Sequence, residues 1–247
     1  MTLSVITVVF NDEKHIEKTI LSVLKQTYNK IQYIIVDGKS TDNTLEIIKK
    51  YKDKIDTIVS EPDKGLYDAM NKAIKLVKGD YVCFLNSGDT FFCETTIEQA
   101  IASINKNMPQ IIYGDTLIVD EQGNEKGKRR HRPPQKLNWK SFRNGMLVCH
   151  QAFWVHSSII ENYNQNFQYS ADFEWCIRLM KKSQNIHNTN QMLIRFLDGG
   201  LTKKRMKSSL KERYKIMKKY YGLFPTLWVH FRNALKMSYF YLTKGWF

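Results

Sequence analysis

The sequence predicts an α/β protein: a Rossmann-like, mostly parallel sheet flanked by helices, with a helical extension at the C-terminus. Three observations predict it. Four apolar runs of strand length recur within the first ninety residues. Stretches of helical apolar spacing, each about 12 residues, separate them. Polar and acidic residues gather directly after each run. Strands alternating with helices imply right-handed βαβ units, and such sheets bind ligands beyond the carboxyl ends of their strands.

Each element follows in order. Leu3 to Phe10 (LSVITVVF) is continuous, apolar and β-branched, so it reads as a buried strand and not as a signal peptide. Ile16, Ile20, Val23 and Leu24 lie on one helical face. Ile31 to Gly38 is a second strand, and Thr41 or Asp42 is placed to cap a helix reaching Tyr51. Ile55 to Glu61 is a third, weaker strand. Leu66, Met70, Ile74 and Val77 form another helical face, closed by Gly79. Asp80 to Asn86 is the fourth strand.

After Asp89 the pattern loosens. Thr95 to Lys106 reads as a helix and Ile111 to Val119 as a strand, with Glu121 to Asn124 a hairpin turn. Lys126 to Arg143, basic and holding Pro133-Pro134, reads as a surface loop. Gln151 to His156 is a strand, Ala171 to Lys182 a helix and Met192 to Leu197 a last strand. Ser208 to Tyr221 and Thr226 to Thr243 are helical. The expected division is 1–200, in two halves 1–90 and 91–200, followed by a tail at 201–247.

Composition narrows the function. The chain has 247 residues, 43% of them hydrophobic, which is enough for a large globular core. It contains no uninterrupted apolar run of about 18 residues, the length of a membrane span. Cys83, Cys93, Cys149 and Cys176 show no zinc spacing and read as buried free thiols of a reducing compartment. Net charge is +14, of which the residues from Leu201 onward carry +11. The body is nearly neutral, and the tail is the basic object.

Two nucleotide motifs are excluded. No G-x-G-x-x-G follows a strand. Gly38-Lys39-Ser40-Thr41 imitates the end of a P-loop, but position 33, where that motif needs Gly, is Tyr. What remains is a polar sheet edge: Asn11-Asp12, Asp37-Gly38, Asp63-Lys64-Gly65 and Asn86-Ser87-Gly88-Asp89. Asp89 is placed either to share a metal with a diphosphate or to cap the next helix. Asp172 is either a helix N-cap or a functional carboxylate.

Blocks along Ser4 to Thr202 resemble the family 2 glycosyltransferases of GT-A fold, especially those of bacterial surface polysaccharides. They are SVITVVFND, SVLKQTY, YIIVDGKSTDNT, EPDKGLYDAMNKAI, GDYVCFLNSGD and ADFEWCIRL, in that order. The resemblance implies an inverting transfer from a nucleotide-diphosphate sugar, a UDP-sugar foremost, to a glycan or lipid-linked acceptor. It implies that Thr7, Val9, Phe10 and Asn11 line the base and ribose pocket and that Asp37 contacts the base. Lys64, Gly65, Asp68 and Asn71 would lie near the base and diphosphate. The metal motif falls on Asn86, Ser87, Gly88 and Asp89. Many relatives have a carboxylate at position 86 or 88, so Asp89 alone is left to hold Mn²⁺ or Mg²⁺.

The same resemblance places the catalytic base on Asp172, with Glu174 as the fallback. His150 and Gln151 would touch acceptor or donor phosphate. Asp198-Gly199-Gly200 would hinge a loop over the site. Arg129, Arg130, His131 and Arg132 are placed to meet an anionic acceptor, or else form a solvated face. Trp228, Phe231, Tyr239, Phe240, Tyr241, Trp246 and Phe247 accompany the tail's bases. That mixture suits an anionic membrane surface better than nucleic acid, because no nucleic-acid module accompanies it. The expected location is cytoplasmic and peripheral at the inner face of the membrane. A nucleotidyltransferase is the rival enzyme and a basic nucleic-acid-binding protein the rival of another class.

Overall fold

The computed structural model describes residues 1–104, 108–199 and 205–244. Its first half is three parallel crossovers. Strands β1 (Leu3–Val9), β2 (Ile31–Asp37), β3 (Thr57–Ser60) and β4 (Tyr81–Phe84) alternate with helices α1 (Ile16–Leu24), α2 (Thr44–Lys49) and α3 (Leu66–Ile74). Registers such as Leu3 opposite Ile31 and Leu3 opposite Tyr81 set β1 at the centre. Every residue of β1 is buried, as expected of a strand covered on both faces.

The second half completes one sheet. It contains β5 (Thr90–Phe91), α4 (Thr96–Ala102), β6 (Ile111–Val119), β7 (Glu125–Lys128), β8 (Phe153–His156), α5 (Ala171–Lys182) and β9 (Ile186–Leu197). The strand order is β3-β2-β1-β4-β8-β6-β9-β5, with β7 hairpinned onto β6. β8 runs antiparallel to both β4 and β6, while β6 and β9 are parallel. The sheet therefore runs unbroken across residue 90.

Most boundaries match the expectations, and the differences have physical causes. The helix placed at 41/42–51 shortens to α2, whose first N–H at Thr44 is accepted by Asp42 Oδ1 at 3.0 Å. The stretch 126–143, read as a loop, begins as β7, whose four residues are all exposed. Its pairing comes from the Asp120–Asn124 turn, not from any apolar pattern. It continues into a capped 3₁₀ turn, Trp139–Asn144. β9 starts six residues before its expected beginning at Met192, at Ile186. Asn190 at φ +56° interrupts its alternation, and the pairing with β6 shifts register there. β5 is too short to carry a pattern. Cys83, Cys149 and Cys176 are buried free thiols, but Cys93 is exposed.

The tail folds into α6 (Met206–Tyr221) and α7 (Leu223–Lys244). α6 buries Ile216, Met217 and Tyr221, and Tyr221 stacks on Trp139 with ring centroids 5.6 Å apart. α7 buries Thr226 and Val229 but leaves Phe224, Leu227, Trp228, Phe231 and Leu235 exposed. The side chains of Tyr239, Phe240 and Tyr241, and all of Trp246, Phe247 and Gly200, lie outside the described residues.

A buried polar clasp sets the spacing of β1, β2 and β4. Ser4 Oγ donates to Gln32 Oε1 at 2.6 Å and accepts from Gly79 N at 3.0 Å, while Gln32 Nε2 donates to Leu76 O at 3.0 Å. Gly79 must be glycine here: a Cβ would sit 2.6 Å from Ser4 Oγ and 2.8 Å from Thr2 O. Gly79→Ala is expected to destabilise the protein by about 1–3 kcal/mol through overpacking, measured by urea denaturation.

Candidate active site

The carboxyl ends of β1 to β4 point to one edge, and the loops beyond them are tied to one another. Asp37, fully buried at the end of β2, accepts from Ser40 Oγ at 2.5 Å, Ser40 N at 3.1 Å and Ser60 Oγ at 2.6 Å. Asn11, at φ +48°, donates its N–H to Ser40 Oγ and accepts from Thr41 N, both at 2.8 Å. A Cβ on Gly38 would lie 2.3 Å from Asp63 Oδ2, so that loop closes against the next. Gly65 (φ +115°) donates to Asp63 Oδ1 and Lys64 N to Asp68 Oδ2, which opens α3. Phe10 stands 60% exposed over this cradle.

The turn after β4 is held from behind. Thr19 Oγ1 accepts from Gly88 N at 3.0 Å and donates to Asp89 O at 2.9 Å. Gly88 has φ +92°, and a Cβ there would meet Leu197 Cδ2 at 2.8 Å. Asp89 is 4% exposed. Its Oδ1 accepts from Leu197 N at 2.9 Å and its Oδ2 from Gln151 Nε2 at 2.6 Å. Burial pushes its pKa up to about 7, against those two bonds, with Asp12 adding to the rise. Asp12 itself accepts from Ser87 Oγ at 2.6 Å and lies 2.6 Å from His15 Nδ1. His15 Nε2 and Asn86 Oδ1 are buried without a hydrogen-bond partner.

A second carboxylate stands at the start of α5. Most of the helix is buried, but Asp172 is half-exposed. Its Oδ1 accepts from Tyr67 OH at 3.0 Å and from Phe173 N at 2.8 Å. Tyr67 is held well above the ordinary tyrosine pKa by burial and then by Asp172's charge, so it remains a donor. Tyr67 stacks on Tyr163 at 5.4 Å, and Tyr163 OH lies 2.6 Å from His150 Nε2. Asn71 clamps the Tyr163 backbone, donating to its O at 3.0 Å and accepting from its N at 2.7 Å.

Several expected ligand contacts have other jobs. Thr7 is fully buried with its hydroxyl 3.2 Å from Tyr33 OH, so it backs the edge instead of lining it. Val9 is nearly buried. Asp37 has both oxygens engaged by serines, and Asn71 is engaged by Tyr163. Gln151 holds Asp89, and His150 is buried against Tyr163, so neither offers its side chain to an acceptor. Glu174 is buried and bound to Arg178 at 3.2 Å and Tyr220 OH at 2.5 Å, which removes it as a base. Asp198 N donates to Val119 O, and Asp198 pairs with Lys126 at 2.7 Å. Arg132 pairs with Asp115 at 2.7 Å.

Three residues of the site carried no expectation as site members, His15, Tyr67 and Tyr163, while Asp12 was expected only as part of the polar sheet edge. Tyr67 was detectable, since its i,i+4 spacing to Asn71 puts both on one face of α3. Tyr163, in an Asn-rich loop, had no such signal.

Residues 4–163 match the family described as Glycosyl transferase family 2. A glycosyltransferase of Mycobacterium tuberculosis (strain ATCC 25618 / H37Rv) is 33% identical over 186 residues, which cover 72% of this chain and 68% of that protein. TuaG of Bacillus subtilis (strain 168), named for teichuronic acid biosynthesis, is 26% identical over 214 residues, or 85% of this chain and 84% of that one. The crystal structure of S. aureus TarS 1-349 in complex with UDP-GlcNAc superposes with a TM-score of 0.72 at 19% identity. That match covers 88% of this chain, which spans 65% of the TarS chain. At that identity the likeness is one of fold.

His150 supplies a test of this packing. Burial lowers its pKa from 6.5 to about 4, against the attraction of Asp172, so the folded protein holds it neutral. Its contribution is whole above pH 6.5 and is lost as the pH falls toward 4. The loss across that window is on the order of 3 kcal/mol for a group this buried. His150→Gln should flatten the fall in urea midpoint between pH 6.5 and pH 4 relative to the parent. An unchanged slope would mean that His150 does not titrate as the packing requires.

Proposed function

The chain belongs to glycosyl transferase family 2, and on that premise we propose that it moves a sugar from a UDP-sugar to a glycan or lipid-linked acceptor, with inversion, in surface-polysaccharide synthesis. Membership of the family replaces the nucleotidyltransferase alternative. The observation that carries the reading is Asp172, a half-exposed carboxylate whose one oxygen is fixed by Tyr67 and by its own helix. Oδ2 takes no hydrogen bond among the described residues and is free to accept a proton.

The donor is assigned to the cradle. Phe10 offers an exposed ring to the base, and Asn11, Lys64, Gly65 and Asp68 form its rim. The turn after β4, where Asn86 and Ser87 are partly exposed, is assigned to the diphosphate. Names among the relatives and neighbours, teichuronic acid biosynthesis and a UDP-GlcNAc complex, support the donor and pathway class.

Asp89 and the unpaired Asn86 Oδ1 are hard oxygen donors, which fits Mn²⁺ or Mg²⁺. When bound, the cation neutralises charge on the leaving diphosphate. Asp172 then acts in a single displacement. Its Oδ2 takes the proton of the acceptor hydroxyl as that oxygen bonds to the anomeric carbon. The bond to the diphosphate breaks on the opposite face, UDP leaves with the electron pair, and inversion follows. Tyr67 keeps the carboxylate aimed during the transfer.

We assign the tail to the surface of an anionic membrane. Among the described residues, no helix is long and apolar enough to cross one. Phe224, Leu227, Trp228, Phe231 and Leu235 instead form an exposed apolar stripe on α7, and Lys211, Lys215, Lys218 and Lys219 of α6 are exposed as well.

Asp172→Asn should retain UDP binding and lower transfer by about 10²–10⁴-fold, read as UDP release from UDP-sugars in the presence of Mn²⁺. Near-parental turnover would sink the assignment. Trp228→Glu with Phe231→Glu should abolish sedimentation with phosphatidylglycerol vesicles while leaving UDP binding intact. Retained sedimentation would place the membrane contact elsewhere.

A further inference from the structure

Resting on the transferase reading above, we propose that Arg129, Arg130, Arg213 and Arg232 form a binding site for a phosphate group carried by the acceptor. Two of the four come from the tail helices, which the family match does not reach.

Two of the four touch one short turn, and the other two act on the His131 ring beside it. Arg232 Nη2 donates to Asn144 Oδ1 at 2.9 Å, and Arg129 Nη2 to Met146 O at 3.4 Å. Between them, a Cβ on Gly145 would lie 3.7 Å from the His131 ring. Arg213 lies over the Phe173 ring at 5.7 Å, one residue after Asp172. Partial desolvation lowers the His131 pKa, and the charges of Arg129, Arg130 and Arg213 lower it further. Those four groups therefore share one field, and it is positive.

The cluster lacks its counter-charge. Arg129 Nη1, Arg213 Nε and Arg232 Nε are each buried with no hydrogen-bond partner. Among the described residues, no carboxylate pairs with any of the four arginines. The acids nearby are engaged elsewhere: Asp115 with Arg132, Glu174 with Arg178 and Tyr220, and Glu212 with Gln168 N and Tyr169 N. Buried guanidinium N–H groups without acceptors are costly, and gathering like charges adds to the cost. A phosphate answers both, because its several oxygens serve several guanidiniums at once.

Position argues for the acceptor's phosphate and not the donor's. The donor turn stands at the end of β4, with Leu197 and Gln151 closing it from behind. The arginines stand instead against the Asn144–Met146 turn and over the ring of Phe173. A phosphate held there would bring an attached sugar hydroxyl to the part of the molecule that carries Asp172, through Arg213 over the neighbouring Phe173 ring.

The test is titration of the full chain with inorganic pyrophosphate in saturating UDP, followed by calorimetry. Binding should persist in UDP. It should weaken by about tenfold or more in Arg213→Gln and in Arg130→Glu, whose exposed side chain makes reversal safe for folding. Arg213→Lys should restore part of the loss. A parallel titration with dimethyl phosphate distinguishes the source: much weaker binding points to a lipid-carrier diphosphate, and comparable binding to a phosphodiester glycan. Absence of pyrophosphate binding, unchanged affinity in both variants, or displacement by UDP would each overturn the proposal. Failure of UDP itself to bind would count against the donor reading instead, and it is read in the same cell.

Discussion

Gln151 donating to the buried Asp89, beside His150 meeting Tyr163, is the contact pair on which the site depends. The two residues are neighbours in the chain and reach opposite ways. Gln151 reaches the turn after β4. His150 reaches Tyr163, which stacks on Tyr67, which in turn holds Asp172. The two carboxylates lie on different halves of the chain, and this one turn couples their positions. It can do so because β8, which follows it directly, is inserted between β4 and β6. An antiparallel strand at that place brings its N-terminal end to the carboxyl edge of β4, where the donor loops gather.

That coupling explains why so many polar groups at the edge serve one another. A protein ligand site must be stiff before the ligand arrives, and stiffness here comes from side chains spanning loops. Asp37 ties β2 to β3, Asn11 ties β1 to β2, and Asp12 ties β1 to the turn after β4 through Ser87. The groups left facing outward include the Phe10 ring, Asn11, Lys64 and the backbone at Gly65. The ties also account for Asp89. With Gln151 and Leu197 as its partners and little exposure, its charge is poorly supported by its surroundings.

The sequence made the donor half legible because its strands are fully apolar and its loops fully polar, so period and composition change together at Asn11, Asp37, Asp63 and Asn86. Helix α5 was equally legible, from the apolar face of Phe173, Cys176, Ile177 and Met180. Strand order was not. Nothing in Phe153 to His156 tells that it pairs with β4 and β6, because pairing between distant strands leaves no local signal. Roles within the site were mixed for a related reason. Residue type marks Thr7, Asn71, His150 and Gln151 as polar residues near an edge, but only the direction of each side chain separates a ligand contact from a brace. Asp198 and Gly199 read as a hinge from their types, yet Asp198 is held by Val119 and Lys126.

The tail bears on the same question of mounting. Its excess charge made it look separable from the body, but α6 is fastened along α5, the helix that carries Asp172. Ser209 Oγ lies 2.9 Å from Ser170 Oγ at the N-terminus of α5. Glu212 accepts from the backbone of Gln168 and Tyr169 just before it. Tyr220 reaches Glu174 one turn in, and Tyr221 stacks on Trp139 beyond. These contacts fall before and after Asp172 along the chain. The carboxylate is thus oriented by α3 and by α5 itself, while α6 fixes the helix that carries it. Any displacement of α6 therefore acts on the helix that carries Asp172.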